Sequence, residues 1–513
     1  MPDREAPEPD PDQPDRRTGP GRRAVLAGGV GVVGAALTGT WWWRSGRRQF
    51  GPDEPKPAGT VGPHDTVVER TDQRRHWSGR TTSVTLTAQQ GTLDLAGRQA
   101  RTWLYDGGPM AAAVRVRAGD RLHARLVNRL EAATTVHWHG LRIRNDMDGV
   151  PDVTMPAVRP GDTFDYRFVV PDPGTYWLHS HVGVQRDRGL YAPLIVTDPH
   201  EPGDYDHDET IVLDDWTDGV GPTPDAILGE LRAGHTGGTV RPVMAPSSPW
   251  GPMTSELTYP LHLANARPPE DPAVIRARPG QRLRLRLINA SAATPYRVAF
   301  SGHRMTVTHA DGWPVRPTTV DTLLIGMAER YDVLVTVGDG AFGLVAAAEG
   351  GKGVARAVVR TGAGTTPPPT ARPAELRRRL LCYPDLRPVA GTALPKRPVD
   401  RTVRLLLSQG TSHPVTWLID DHAWPHRKPV PVRQGERVRI DLVNASAMAH
   451  PIHLHGHTFA LADTGVRKDT VVVLPGKTTS ILVQADNPGR WLLHCHNAYH
   501  MALGMTTELD YLT

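Results

Sequence analysis

Cysteine is nearly missing: Cys382 and Cys495 are the 2 cysteines in 513 residues, too few for a disulfide framework. A single bridge between them would consume Cys495, which stands between two histidines and is needed elsewhere. Cys382 lies in a proline-rich stretch and reads as a spare thiol. Long amphipathic helices are missing too. Methionine is sparse, 11 residues without a cluster, and Met244, Met253 and Met305 read as loop or core packing. The formal charge of +5 is the balance of 59 basic and 54 acidic residues. Because the arginines are scattered along alternating segments, that balance describes a solvated face and argues against a nucleic-acid partner.

Glycine and proline are plentiful, at 51 and 48 residues, with an apolar content of 39%. Short Val/Leu/Ile stretches punctuated by these breakers predict an all-β chain. At ~100–200 residues per domain the length suggests three or four units, and an internal repeat favours three. VRVRAGDRLHARLVN at 114–128, IRARPGQRLRLRLIN at 275–289 and VPVRQGERVRIDLVN at 430–444 share one pattern, with the glycine nine residues before the final asparagine in each. Each reads as a glycine-permitted turn followed by a strand buried on one face. Three copies predict three homologous β-sandwich domains over 76–200, 205–364 and 401–513, with a proline-rich linker over 365–400.

The N-terminus predicts an address. Arg22 and Arg23 precede the uncharged stretch Ala24–Thr40, and twin arginines before an apolar run resemble the signal for export of folded proteins. Residues 1–43 are therefore expected to be a twin-arginine leader read by the export machinery, or an anchor retained in the membrane with Trp41, Trp42 and Trp43 at its interface. The apolar run is marginal for a span of ~20 residues. Residues 44–75 are expected to be a flexible linker. The protein is expected outside the cell or at its envelope.

Four histidine clusters stand out: HWHG at 137–140, HSH at 179–181, HPIHLH at 450–455 and HCHNAYHMALGM at 494–505. Counted from the repeat asparagine, His137 and His139 of the first copy correspond to His453 and His455 of the third, whereas the second copy holds Val298 and Phe300 there. The outer domains thus carry matched half-sites and the middle one reads as a spacer without metal. In a strand, residues i and i+2 share a face about 6.6 Å apart, so a His-x-His pair reaches two neighbouring ions more easily than it closes on one. Four such pairs supply eight imidazoles. Cys495, between His494 and His496, must point the opposite way and bind a different metal. A thiolate, two imidazoles and a weak axial thioether form a blue-copper ligand set, here Cys495, His450, His500 and Met505. Zinc fits less well, because its structural sites usually take several cysteines.

At these residues the sequence resembles the multicopper oxidases, the three-domain laccases and cuprous oxidases, over roughly residues 76–513. HWHGLRIRNDMDGVPDVTMPAV and HVGVQRDRGLYAPLIV look most like exported oxidases of actinobacteria associated with copper tolerance. The resemblance implies cupredoxin-like Greek-key domains and four copper ions. His137 and His453 would hold the type 2 copper; His139, His179 and His496 one type 3 copper; His181, His455 and His494 the other. Electrons would enter at the Cys495 site and pass through His494 and His496 to dioxygen. Asp148, eleven residues after the first histidine of HxHG, would relay protons, with Asp146 as substitute, since Met501 follows His500 where many bacterial members place a glutamate. Asp148 also suits a plain turn before Gly149. Asp469 resembles a position near the type 1 pocket and is expected to attract cationic substrate.

The expected donor is cuprous or ferrous ion, with phenols as the alternative; no methionine-rich copper-gathering insertion is present. A copper nitrite reductase needs fewer histidines, and a copper carrier would not need two kinds of site joined by one strand.

Overall fold

The computed structural model describes residues 59–106, 113–198, 200–201, 203–411 and 415–513. The expected leader at 1–43, and the expected linker up to residue 58, lie outside them. Among the described residues no helix is long and apolar enough to cross a membrane. Of the described residues 46% lie in strands and 8% in helices, so the fold class is all-β, as the sequence predicts.

Among the described residues the strands form three units of two sheets each, with a separate two-stranded ribbon of Val243–Met244 and Met253–Ser255. The first has two four-stranded sheets, and the second and third each pair a six-stranded with a five-stranded sheet. The repeat strand occupies the same place in all three: Arg121–Asn128, Arg282–Asn289 and Arg437–Asn444 each run parallel to one neighbour and antiparallel to the other. The turn glycines Gly119, Gly280 and Gly435 have φ of 86°, 84° and 93°, where a Cβ would be strained.

The repeat asparagine is a clasp. Asn128 Nδ2 donates to the carbonyls of Ala132 and Val158, both at 2.9 Å. Asn289 does the same to Thr294 and Ile325, and Asn444 to Met448 and Val473. In each copy the side-chain oxygen accepts the backbone N–H two residues on. These bonds are each worth about 1 kcal/mol net and more if one partner is stranded. They hold the loop that leads into the strand carrying histidines in the outer units.

Separate apolar cores fill the units. Trp138, Tyr166 and Phe168 lie in the first, Val298, Phe300 and Met305 in the second, and Trp491, Ile452 and Cys495 in the third. Residues 59–75 depart from the expected flexible linker. Val61 N donates to Tyr511 O at 2.7 Å, Thr513 N to Gly59 O at 2.9 Å, and Thr66–Gln73 is a helix whose Val68 is buried in the third core. Burial of Val61 and Val68 in that core, with the backbone bonds to the C-terminal strand, outweighs the polar composition on which that expectation rested.

Candidate metal centres

The third unit shows how period-2 geometry sorts the ligands. His450–Leu454 pairs antiparallel with Arg490–Cys495, setting Ile452 opposite Cys495 and His453 opposite His494. Alternation then places His450 on the Cys495 face, and His453 and His455 on the face of His494 and His496. The three-residue step from His450 to His453 is what changes face. In the first unit His137 lies opposite His179 across His137–His139 and Gly174–His179, while Trp138 turns inward to Tyr166 and Phe168.

The two half-sites close on each other. His137 stacks on His455 and His139 on His453, with ring centroids 3.8 and 3.7 Å apart. Three trios bring ligand atoms within 4.8 Å of one another: His139, His179 and His496; His181, His455 and His494; and His137, His139 and His453. All eight rings are buried. The His-x-His centroids lie 5.8, 6.0, 4.9 and 5.6 Å apart along the four pairs, so each pair spans two neighbouring positions.

These histidines fit a metal. His137, His179 and His453 spend Nδ1 on the carbonyls of Asp148, Ser180 and Asp469, each at 2.9 Å, leaving Nε2 buried without a partner. His139 is reversed, with Nε2 on the Asp469 carboxylate at 3.1 Å and Nδ1 unpartnered. Both nitrogens of His181 are unpartnered. Buried polar atoms without partners are costly, and lone pairs converging from several rings are what a cation requires. Burial first, then neighbouring positive charge, holds His139, His179, His181, His455, His494 and His496 well below the ordinary imidazole range, so they stand as neutral donors.

On the opposite face Cys495 Sγ lies 3.7 Å from His450 Nδ1 and 3.6 Å from His500 Nδ1. Burial pushes the thiol well up from its usual range, so a metal must displace its proton to bind. Met505 is fully buried in the same apolar cluster, its carbonyl accepting the Cys495 N–H at 3.0 Å. Trp417 stacks on His500 at 4.0 Å. The thiolate position and the histidine cluster are joined by single backbone steps, Cys495 to His494 and Cys495 to His496.

Asp148 reaches both units. Its carboxylate lies 2.8 Å from His455 Nδ1 and 3.2 Å from His137 Nδ1, so its side chain serves the histidines rather than the turn before Gly149. Asp146 is held by Arg144 at 2.6 and 2.8 Å and is not free to substitute. Asp469 corrects the expectation of a cation-attracting residue at the Cys495 pocket. It is fully buried on the eight-histidine side, against His139 and paired with Arg330 at 2.7 and 2.6 Å. It lies in the residue step before Thr470–Val473, the strand paired with His450–Leu454, so the register carries it inward.

Three residues escape sequence reasoning. Arg186 Nη2 donates to the His496 carbonyl at 3.0 Å. Arg330 holds Asp469. Glu256 Oε2 lies 3.0 Å from His500 Nε2, and its Oε1 has no partner. Arg330 and Glu256 come from the middle unit, so that unit is more than a spacer even though it contributes no histidine to these trios. No motif marks them, because each acts through a contact between sandwiches.

Models of multicopper oxidase domains match residues 87–201, 208–365 and 396–512. The chain is 44% identical over 469 residues to multicopper oxidase MmcO of Mycobacterium tuberculosis, covering 90% of this chain and 92% of that protein. It is 29% identical to copper resistance protein A of Escherichia coli, covering 83% and 92% of the two. Among solved structures it resembles a multi-copper oxidase from Pseudomonas thermotolerans, with TM-score 0.66, 28% identity and coverage of 85% and 100%. The laccase of Botrytis aclada gives 0.69, 25%, 88% and 91%. With all three sandwiches matched and the buried histidines and cysteine converging as described, this chain belongs to the multicopper oxidases, copper-dependent oxidoreductases that use dioxygen.

Proposed function

We propose that the protein holds four copper ions and oxidises a reducing metal ion, cuprous or ferrous, at the Cys495 site, in the service of copper tolerance at or outside the cell envelope. Cys495, His450, His500 and Met505 would hold the type 1 ion. His137 and His453 would hold type 2; His139, His179 and His496 one type 3 ion; and His181, His455 and His494 the other. When bound, these ions supply one-electron acceptance at the first site and four-electron donation to dioxygen at the cluster.

The chain's own residues provide the rest. The backbone of His494, Cys495 and His496 joins the two sites covalently. The carbonyls of Asp148, Ser180 and Asp469 fix ring orientation. Asp148, between His137 and His455, is placed to hold a proton for the reduction of dioxygen.

The observation that carries the metal-ion reading is Glu256 on the outward nitrogen of His500 with one oxygen uncommitted, which places a carboxylate at the electron entry. A rung of methionines stands beside it. Met244, 58% exposed, pairs with Met253, and Met253 bridges Met448, which is 3% exposed and two residues before His450. Met253 packs against the apolar cluster that holds Met448, and thioethers suit cuprous ion. Copper resistance protein A of Pseudomonas syringae pv. tomato, 29% identical over 81% of this chain, agrees by its name. The test is oxygen uptake with cuprous ion, ferrous ion and a simple phenol, in the wild type and in Glu256→Gln. The expected result is a KM for metal ions raised about tenfold or more, the scale of one lost charged contact, with phenol turnover little changed. Phenol as the better donor, with Glu256→Gln leaving metal-ion kinetics intact, would establish the laccase reading instead.

A further inference from the structure

Arg330 is fully buried and belongs to the middle sandwich, yet its guanidinium serves all three. Nη1 and Nη2 make a two-pronged pair with Asp469 of the third unit at 2.7 and 2.6 Å; Nε donates to the carbonyl of Thr175 in the first at 3.1 Å; and Nη1 donates to Ala328 O of its own unit at 3.1 Å. Its backbone N–H is taken by Asp311 at 2.9 Å, and the other oxygen of Asp311 accepts from Lys468 Nζ at 3.0 Å. Asp469 in turn receives His139 Nε2 on its carboxylate and His453 Nδ1 on its carbonyl.

A second observation points at the same pair. Gly140, the glycine that ends HWHG, has φ 88°, and a Cβ there would lie 2.6 Å from Asp469 Oδ2 and 2.7 Å from Arg330 Nη2. The glycine leaves the space in which the guanidinium and carboxylate meet, directly behind His139.

We propose that Arg330 is a positioning residue for the histidine cluster: it locks Asp469 in the one orientation that keeps the proton of His139 on Nε2 and turns Nδ1 toward the metal position, while holding the strand that orients His453. A fork-shaped, permanently charged partner is needed, because it binds both carboxylate oxygens and leaves Oδ1 with a lone pair for His139. Without it, the Asp469 carboxylate would keep only the Thr470 hydroxyl at 2.9 Å and the His139 ring, both on Oδ1, and Oδ2 would lose the contact that fixes the plane of the group. The middle sandwich thereby completes a site to which it gives no ligand.

This inference rests on the proposed assignment of these histidines to copper, and the experiment separates the two. Copper-loaded wild type, Arg330→Met, Arg330→Lys, Asp469→Asn and Gly140→Ala are compared for copper per chain, blue absorbance, the type 2 paramagnetic resonance spectrum, and loss of copper to a chelator. Arg286→Met serves as control, since Arg286 ties the middle unit to Thr175 Oγ1 at 2.9 Å without touching Asp469. The expected result is retained blue absorbance, a type 2 spectrum shifted alike in the Arg330, Asp469 and Gly140 variants, and copper loss faster by about ten- to a hundredfold, the usual effect of removing a ligand's support. Arg286→Met should lower the melting temperature with the spectrum unchanged. If Arg330→Met does not fold, Arg330→Lys, which keeps the charge but not the fork, carries the test. A wild-type spectrum and wild-type copper retention in folded Arg330 variants would reduce Arg330 to a tie between sandwiches. A wild type that takes up no copper would sink the assignment itself.

Discussion

Asp148 Oδ2 and His455 Nδ1 lie 2.8 Å apart although 307 residues separate them in the chain. The same carboxylate is within 3.2 Å of His137, so one acid spans both half-sites at the boundary of the first and third sandwiches. Asp148→Asn should keep the blue absorbance and its bleaching by donor while slowing reoxidation by dioxygen. A loss of about a hundredfold is the lower end for a positioned proton donor, and it should be steepest at high pH, where solvent protons are scarce. Stopped-flow mixing of reduced protein with dioxygen reads this directly; reoxidation unchanged across pH would return Asp148 to orienting His455.

Cys495 faces His450 and His500, away from the eight-histidine cluster. Cys495→Ser should therefore lose the blue absorbance, one copper per chain and donor-driven turnover, with the remaining copper retained. Metal analysis beside the visible spectrum decides it. Normal oxidation of donors by a colourless variant would place electron entry elsewhere.

In the middle unit the positions equivalent to ligands hold Val298 and Phe300, both at 0% exposure in the apolar core. Phe300→Ala should cost about 3–5 kcal/mol of stability, Val298→Ala less, and both should leave copper per chain unchanged in the folded fraction. Denaturant unfolding with metal analysis is the check, and loss of copper from well-folded protein would contradict a purely apolar role.

Asp332 is buried between Arg284 at 2.6 Å and Arg286 at 3.3 Å. Burial alone would raise its pKa, but the two guanidinium groups overcome that and hold it well below the usual carboxylate range. A depressed folded value contributes stability that is fully present above the unfolded pKa of about 3.9 and is lost as pH falls through the folded one. Asp332→Asn should destabilise by about 1.5–3 kcal/mol at pH 7, the scale of lost charged hydrogen bonds, since Arg284 and Arg286 keep Glu201 and Asp208 as partners, and should make the acid-side decline below pH 4 shallower. Parallel declines for variant and wild type would show that other carboxylates dominate acid unfolding.

The alternation in HPIHLH and HCH is local. Period-2 geometry separates His450 and Cys495 from His453, His455, His494 and His496 before any tertiary contact is known, and the thrice-written repeat predicts three sandwiches, the middle one with Val298 and Phe300 where the others hold histidines. Asp469 shows where that reasoning stops: its place in KDT says nothing about whether the strand register turns it toward the Cys495 pocket or inward, and the register turns it inward, against His139. The polar stretch 59–75 likewise hides Val61 and Val68, whose burial depends on a C-terminal strand more than 400 positions away, Thr513 bonding to Gly59 across a separation of 454.

By itself, then, the sequence determined the ligand types, their spacing and the sorting of faces within each strand, because these follow from a backbone period of two. Only the tertiary structure decided which groups from other sandwiches support them: Glu256 on His500 across 244 residues, Arg330 on Asp469 across 139, and Asp148 on His455 across 307. Such contacts arise where domains dock, where geometry is set by three bodies packing together and leaves no periodic trace along any one of them.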